Sequence, residues 1–401
     1  MGHNLHQRET IFQFIFAQIR KFIYLSFSSQ KTHKTHKSDY HRLSACLFFQ
    51  ILLEPSKMKA FLSLEAHFLG QTSLTAHSLL STLPRGAYTT ARSMCGGTHL
   101  LALPTHLSRT RDSAVSMLGL EGLAASQVFP VDAAGSDSAL FEARMTASLS
   151  ALLTGVRGAA AAGAGAAATD YKVTCLLLWG AGRVEQALQL LAPSLQAGGA
   201  PLLAPPAQPL PGSGVPSLLI SHATPLLPPR APPIVCAVRG LPRANATAKD
   251  SEWVRAREAL EAAMAPGEEE ALLLDPASGC ITEGTQTNFF AVASDGAVHT
   301  AAPEHCLEGT IRAMVLAACA EQGLSLVQGL GPAASQAGSW RGAFLTSTSR
   351  LVLPVDELVQ PSGQRTQLPS RQDATVLALA AAVQAAAHSS STRVVAEEGS
   401  A

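Results

Sequence analysis

A two-domain α+β fold is predicted for this chain of 401 residues, and three observations predict it. Between residues 268 and 301, three apolar runs alternate with turn signals at Pro276–Gly279 and Asp295–Gly296, which is the pattern of a β-meander. Directly afterwards Ile311, Val315, Leu316 and Cys319 share one helical face between Gly309 and Gly323, so a helix is expected to follow the strands. Upstream, the Pro/Gly/Ser-rich stretch from Leu202 and the segment TPLLPPRAPP place a junction between domains at 205–233.

The flanking regions follow from composition. Residues 1–57 hold only two alanines, Ala17 and Ala45, but five of the chain's eight lysines, whereas the remainder is alanine-rich and lysine-poor. Their apolar run, IFQFIFAQIRKFIYLSF, is too short and too interrupted by Gln13, Gln18, Arg20 and Lys21 to span a bilayer. Basic, Ser-containing, acid-poor content is that of an organellar presequence. The abrupt change in composition favours the other reading, an upstream extension not normally translated, with Met58 as the start. A small domain is expected over 58–204, with a loosely ordered surface insertion at 154–169 (TGVRGAAAAGAGAAAT). A larger domain is expected over 234–388, ending in an alanine-rich helix from about Arg371 to Ala387, and 389–401 reads as a disordered tail.

Charge and cysteine usage exclude several classes of function. Lys and Arg total 29 against 29 Asp and Glu, and no basic or aromatic-basic stripe crosses the domain region, so nucleic acid is not an expected partner. With 47% hydrophobic and 14% charged residues, a sizeable core is easily built. The seven cysteines are scattered without a C-x-x-C pair, which points to buried, reduced thiols rather than a metal site or a disulfide frame. The expected setting is a reducing intracellular compartment: the cytoplasm, or a plastid or mitochondrion if residues 1–57 are a presequence.

The residues that carry chemistry lie between Lys249 and Pro354. After Lys59 only Lys172 and Lys249 are lysines, while arginine carries nearly all other positive charge. A position that needs a primary amine able to become neutral cannot use arginine. In RANATAKDSEWVRAREALEAAM the apolar spacing makes a helix with Arg255, Arg257 and Glu258 on its wet face and Lys249 just before it or in its first turn. Glu283 follows 34 residues later at the end of a predicted strand, beside Gly284. The helix that opens at Gly309 and Thr310 points free amide hydrogens and its positive dipole end outward, which suits a phosphate. Last comes GAFLTSTSRLVLPV, an apolar strand interrupted by Thr346, Ser347, Thr348 and Ser349, hydroxyls that need polar partners if buried.

With these segments in this order, the chain resembles the class IV aminotransferases, fold-type IV pyridoxal-phosphate enzymes. These include branched-chain aminotransferases, D-amino acid aminotransferases and aminodeoxychorismate lyase. The resemblance covers roughly Pro84 to Leu358. It is strongest in LLLDPASGCITEGTQTNFFAV, with CLEGTIRAMVL and FLTSTSRLVLPV at the expected distances and GAYTTARSMCGGTHLLALPTHLSRTRDSA similar to the family's N-terminal strand, turn and His-Leu-x-Arg helix. It implies a small α/β N-terminal domain, a larger C-terminal domain on a β-barrel-like sheet, and a homodimer. It makes Lys249 the Schiff-base lysine and proton shuttle, and sets Glu283 against the pyridine nitrogen. Arg109 becomes the phosphate clamp, with backbone amides of Thr310 and Ile311 and the groups of Ser347 and Thr348 completing the phosphate site. Tyr88 and Ser349 would face the substrate. Taken singly, Glu283 reads as a surface acid, Arg109 as a solvated helix charge, and the Thr/Ser run as an exposed strand face; their joint order is what points to a site.

Departures from the family bear on the substrate. Branched-chain members carry a tyrosine four or five residues past the lysine, and Trp253 stands nearest that place. They also have an arginine soon after a tyrosine near the end of the small domain, where this chain reads DYKVTCLLLW with Val173. Lys172 or Arg243 are the candidates for the missing carboxylate contact. The expected activity is amino transfer between an amino acid and a 2-oxo acid. The alternatives are a pyridoxal-phosphate lyase of the aminodeoxychorismate type and a non-catalytic relative.

Overall fold

The computed structural model describes residues 59–129, 138–162, 169–196 and 215–396. The expectations for 1–57, for the centre of the low-complexity stretch, for the first third of the Pro-rich junction (205–214) and for the last five residues lie outside them. The strands are β1 (Ala60–Leu64), β2 (His67–Thr72), β3 (Ala87–Met94), β4 (His99–Leu101), β5 (Tyr171–Trp179), β6 (Ser217–Pro225), β7 (Val235–Gly240), β8 (Glu268–Asp275) and β9 (Cys280–Gly284). They continue with β10 (Asn288–Val292), β11 (Val298–Ala301), β12 (Leu326–Gly329), β13 (Gly342–Ser347), β14 (Leu351–Pro354), β15 (Glu357–Val359), β16 (Arg365–Gln367) and β17 (Ser391–Arg393). The helices are α1 (Ala76–Thr82), α2 (Leu103–Leu120), α3 (Ser138–Ala162), α4 (Ala181–Gln196), α5 (Glu252–Ala256), α6 (Glu258–Ala262), α7 (Thr310–Glu321) and α8 (Ala374–Ser389).

Three sheets organise this α+β fold. The N-terminal strands form a seven-stranded sheet in the order β17-β4-β3-β5-β6-β1-β2. The C-terminal part holds two five-stranded sheets, β12-β11-β10-β13-β14 and β16-β15-β7-β8-β9. Among the described residues neither closes into a barrel, so the barrel-like sheet implied by the resemblance takes the form of two open five-stranded sheets. Their shared core follows from strand alternation. Phe289, Ala291 and Leu345 point one way, towards Ile234, Cys236 and Val238. Phe290 and Phe344 point the other way, stacked with centroids 4.9 Å apart, and pack with Ile311 and Val315 of α7 and Leu379 and Val383 of α8.

Several expectations need correction. The β-meander divides between the two C-terminal sheets: β8 pairs with β9, β10 with β11, and the chain changes sheet between Gly284 and Asn288. The hydroxyl-rich segment is a hairpin rather than one strand. β13 and β14 pair antiparallel, and Thr348–Arg350 turn between them with Arg350 N–H donating to Ser347 Oγ at 3.2 Å. Within the expected linker at 205–233, Ser217–Pro225 is instead the interior strand β6, whose apolar run is buried between β5 and β1. The first part of the expected insertion, Thr154–Ala162, continues α3, because alanine is the best helix former. Gly155 there lies under Phe68, where a Cβ would stand 2.1 Å from a ring carbon, so this stretch is packed rather than loose. The start of the tail expected to be disordered forms β17, paired with β4.

The helix predicted after Lys249 breaks into α5 and α6 at Arg257, which is 9% exposed rather than on a wet face. Helix α8 begins at an Asp373 N-cap, whose carboxylate accepts from Val376 N–H at 3.0 Å. No helix among the described residues is long and apolar enough to cross a membrane.

Candidate active site

The change of sheet between Gly284 and Asn288 opens a cleft of about 560 Å³, solvent mouth included, against β3, α2 and the start of α7. Tyr88, Arg109, Lys249, Glu283, Thr310, Ile311 and Thr348 all line it. Ser347 and Ser349 lie outside it and face an adjoining lobe, which shares Tyr88, Lys249, Arg257, Gln286 and Thr348 with the first. Lys249 and Tyr88 therefore stand between two compartments.

Lys249 is fixed by its backbone from both sides. Its N–H donates to Ser113 Oγ at 3.0 Å, and its carbonyl accepts from Tyr88 N–H at 2.9 Å. The ammonium lies 4.6 Å from the centre of the Tyr88 ring. Burial lowers the Lys249 pKa to about 8; Tyr88 opposes the shift, while the guanidinium groups of Arg109, Arg257 and Arg243 add to it. For Tyr88, burial alone would raise the phenol, but the charges of Lys249, Arg257 and Arg243 outweigh it and hold it near 8. Each group's charge acts on the other, so the pair gives up its first proton at a lower pH than an isolated lysine or tyrosine would.

At one end of the cleft Arg109 carries a positive charge with no carboxylate partner among the described residues. Its guanidinium donates to Thr310 Oγ1 at 3.2 Å, Thr89 Oγ1 at 2.9 Å and His106 Nδ1 at 3.1 Å, all neutral acceptors. Burial lowers its pKa to about 10. His106 is itself buried, and that burial, followed by the charges of Arg109 and Lys249, holds its pKa well below the ordinary value. It is therefore neutral, with its Nδ1 lone pair turned to Arg109 and to the Thr89 hydroxyl 2.8 Å away. Beside Arg109, α7 begins without a side-chain cap, so the first amides of the helix are not closed off by its own cap residue. The hydroxyls of Thr287 and Thr346 also border the cleft, and both are buried without a hydrogen-bond partner. An uncompensated guanidinium, an open helix end and two orphan hydroxyls are together suited to an anion rich in acceptor oxygens.

Glu283 occupies another wall. Its Oε1 accepts from Arg243 Nε at 2.7 Å and its Oε2 from Leu307 N–H at 3.0 Å. The two side chains are 6% and 4% exposed, so this is a buried ion pair. The other Arg243 nitrogens donate to the carbonyls of Ala248 and Ala246, at 3.2 and 2.6 Å. Arg243 thus braces Glu283 and the loop before Lys249, and each of its three nitrogens is already committed within the protein rather than offered to a substrate carboxylate. Trp253 lines the same cleft and stacks against Arg243, 5.5 Å from guanidinium carbon to ring centre. Its indole N–H is committed to Thr285 O at 2.8 Å.

On the hairpin turn, Thr348 Oγ1 donates to Thr90 O at 2.9 Å, which ties the C-terminal sheets to β3. Ser347 Oγ and Ser349 Oγ lie 3.4 Å apart, facing the second lobe. Sequence reasoning met His106 only as the first residue of the His-Leu-x-Arg segment and gave it no role, and it did not single out Thr287 or the Glu283–Arg243 pairing. A pairing that spans 40 residues leaves no trace in local spacing, and Thr287 sits in a segment whose apolar pattern gives no sign of a buried polar group; for His106 the His-Leu-x-Arg motif was the available signal.

Residues 184–358 match the sequence model of the family described as amino-transferase class IV. A branched-chain-amino-acid aminotransferase of Pseudomonas aeruginosa is 32% identical over 106 residues, a stretch that is 26% of this chain and spans 34% of that protein. Among solved structures, the fold is shared with the branched-chain aminotransferase of Thermoproteus uzoniensis with norvaline (TM-score 0.55, 17% identity, 84% of this chain and 99% of that one covered). A hypothetical aminotransferase from Mycobacterium tuberculosis in its PLP-bound form is similar too (TM-score 0.53, 15% identity, 82% and 99% covered). So is a putative branched-chain amino acid aminotransferase from Thermotoga maritima (TM-score 0.51, 16% identity, 82% and 96% covered). The class IV aminotransferase match is thus confined to residues 184–358, while the fold is common to nearly the full length of the solved relatives.

Proposed function

We propose that this chain is a pyridoxal-phosphate-dependent aminotransferase that moves an amino group between an amino acid and a 2-oxo acid. One observation carries the reading: a lysine with a lowered pKa, an unpaired guanidinium at an open helix end and a buried carboxylate line a single cleft. When bound, pyridoxal phosphate supplies an aldehyde for the amine and a protonated ring that withdraws electrons from the substrate α-carbon. Arg109, the first amides of α7 and the hydroxyls of Thr310, Thr287 and Thr346 are suited to hold the phosphate. Glu283, braced by Arg243, would keep the ring nitrogen protonated, since a nearby carboxylate favours the charged form. Lys249 is the amine that would hold the cofactor's aldehyde carbon and, once the substrate's own amine has displaced it there, the free base that would take the proton from the α-carbon; both roles require its neutral form. Incubation with pyridoxal phosphate, an amino donor and 2-oxoglutarate should yield the donor's oxo acid and glutamate in equal amounts. Absence of cofactor absorbance, or an oxo acid released without glutamate, would reject this function.

Two consequences can be checked at individual residues. Gly309 caps α7 so closely against Asn288 that a Cβ would lie 2.2 Å from Oδ1, while Asn288 Nδ2 donates to Leu307 O at 2.7 Å. Gly309→Ala should push the helix end out of place and weaken pyridoxal-phosphate binding by about tenfold, a loss typical of one charge-assisted contact; equilibrium titration by absorbance measures it. The second concerns pH. Because only the neutral amine reacts, the rate of cofactor capture should rise with pH and level off above about 8. Tyr88 raises the Lys249 pKa, so Tyr88→Phe should move that midpoint to lower pH. An unchanged or raised midpoint in stopped-flow traces would contradict the coupling.

A further inference from the structure

We propose that the buried ion pair between Glu270 and Arg350 is a positioning device for the substrate: it fixes the two walls of the second lobe against each other, and through them the affinity for the reacting acids. The proposal rests on the aminotransferase reading above, in which this lobe receives the substrate beside Lys249. Its walls come from parts of the chain far apart in sequence. One is the loop between Gly284 and Asn288 where the chain changes sheet, and the other is the hairpin turn Thr348–Arg350. Gln286 of the loop and Ser347, Thr348, Ser349 and Arg350 of the hairpin all line the lobe. Glu270, on β8, touches both walls.

Towards the loop, Glu270 Oε1 accepts from Thr285 Oγ1 at 2.5 Å and from Gln286 N–H at 2.9 Å. The loop lies so close that a Cβ on Gly284 would stand 2.9 Å from Glu270 Cγ. Thus fixed, the loop orients its neighbours, because Thr285 O accepts from Trp253 Nε1 at 2.8 Å and from Arg257 Nη1 at 3.2 Å. Towards the hairpin, Glu270 Oε2 faces Arg350 Nη1 at 3.3 Å, and Glu269 takes Arg350 Nε at 2.8 Å. Oε2 is buried and has no hydrogen bond of its own, so the charge of Arg350 is what compensates it. Burial pushes the Glu270 carboxyl up, and Arg350 is the largest influence against that shift. Strain at the same turn is a second observation. Leu351, directly after Arg350, holds a φ of 55°, a left-handed conformation that a leucine keeps only where its surroundings enforce it. The ion pairs of Arg350, its N–H bond to Ser347 Oγ and the bond from Thr348 to Thr90 O supply that enforcement. Neither Glu270 nor Arg350 lines the compartment that holds Arg109, Glu283 and the start of α7, so the pair bears on substrate rather than on cofactor.

The test compares wild type with Arg350→Met, Arg350→Lys, Glu270→Gln and the double variant Glu270→Gln/Arg350→Met, all in the full chain. In the first measurement, protein loaded with pyridoxamine phosphate is mixed with 2-oxoglutarate, and the return of pyridoxal absorbance gives a half-saturating concentration and a limiting rate. Arg350→Met should raise the half-saturating concentration about tenfold and leave the limiting rate within about threefold, which is the signature of lost binding rather than lost chemistry. Arg350→Lys should recover most of the loss. The double variant should be no worse than Arg350→Met, because a single pair is removed in both. The second measurement is hydrogen exchange of the cofactor-free chain, which should speed up at residues 284–288 in Arg350→Met although the substitution lies in the hairpin. Should Arg350→Met fail to fold, the double variant, which leaves no charge on Glu270, and Arg350→Lys carry the same comparison with wild type. The proposal is overturned if half-saturation in the folded variants lacking the pair stays within about twofold of wild type, or if exchange at 284–288 does not change. If wild type neither loads cofactor nor transfers an amino group, the aminotransferase reading falls, and exchange alone then decides whether the pair joins the two walls.

Discussion

Lys249→Ala should reduce amino transfer by at least about a thousandfold in kcat, since both covalent attachment and general-base work depend on this amine. Lys249→Arg should be equally inactive, because a guanidinium stays charged at any working pH. The fold should survive. Lys249 is an amine that burial pushes towards neutrality, so its removal leaves no counter-charge stranded behind it. Phosphate binding should persist weakly through Arg109 and the start of α7. Steady-state kinetics, with thermal melting as the control, measure this. Turnover within tenfold of wild type would remove Lys249 from the mechanism.

Glu283→Gln is expected to have two effects that can be separated. Turnover should fall by about a hundredfold or more while pyridoxal phosphate is retained, because an amide cannot hold the ring nitrogen charged. Stability should fall as well, since Arg243 at 6% exposure loses its counter-ion, a change that costs on the order of 3–5 kcal/mol when a buried pair is broken. Adding Arg243→Met to the same protein should restore part of the melting temperature and none of the turnover. A Glu283→Gln enzyme with a near-normal rate would show that this carboxylate is not the pyridine partner.

The legible part of this protein was local. Helix α7 and its Gly309 start could be read from apolar spacing and a glycine, because both signals lie within one segment. Lysine scarcity pointed to Lys249 for a chemical reason, the need for a neutral amine. What remained hidden depends on contacts distant in sequence. The meander's division between two sheets was not visible, since β9 and β10 each keep good strand patterning and only the route from Gly284 to Asn288 separates them. Arg257 looked like a solvated helix charge, yet it is 9% exposed because the helix breaks beside it and its guanidinium reaches Thr285 O at 3.2 Å. Arg243 was a candidate for the substrate, and its three nitrogens turn out to be engaged with Glu283 and two carbonyls. Strand β17 was read as tail because three polar residues carry no apolar pattern; backbone pairing to β4 defines it.

The central claim is that the amine of Lys249 holds the cofactor, and chemical trapping tests it most directly. The full chain is loaded with pyridoxal phosphate, reduced with borohydride, digested and mapped. The account predicts the pyridoxyl group on the peptide containing Lys249, with capture increasing as pH rises towards and past about 8. Lys172 is the competing amine in the adjoining lobe. Recovery of the label on Lys172, or no label on either lysine in a protein that still transfers amino groups, would contradict it.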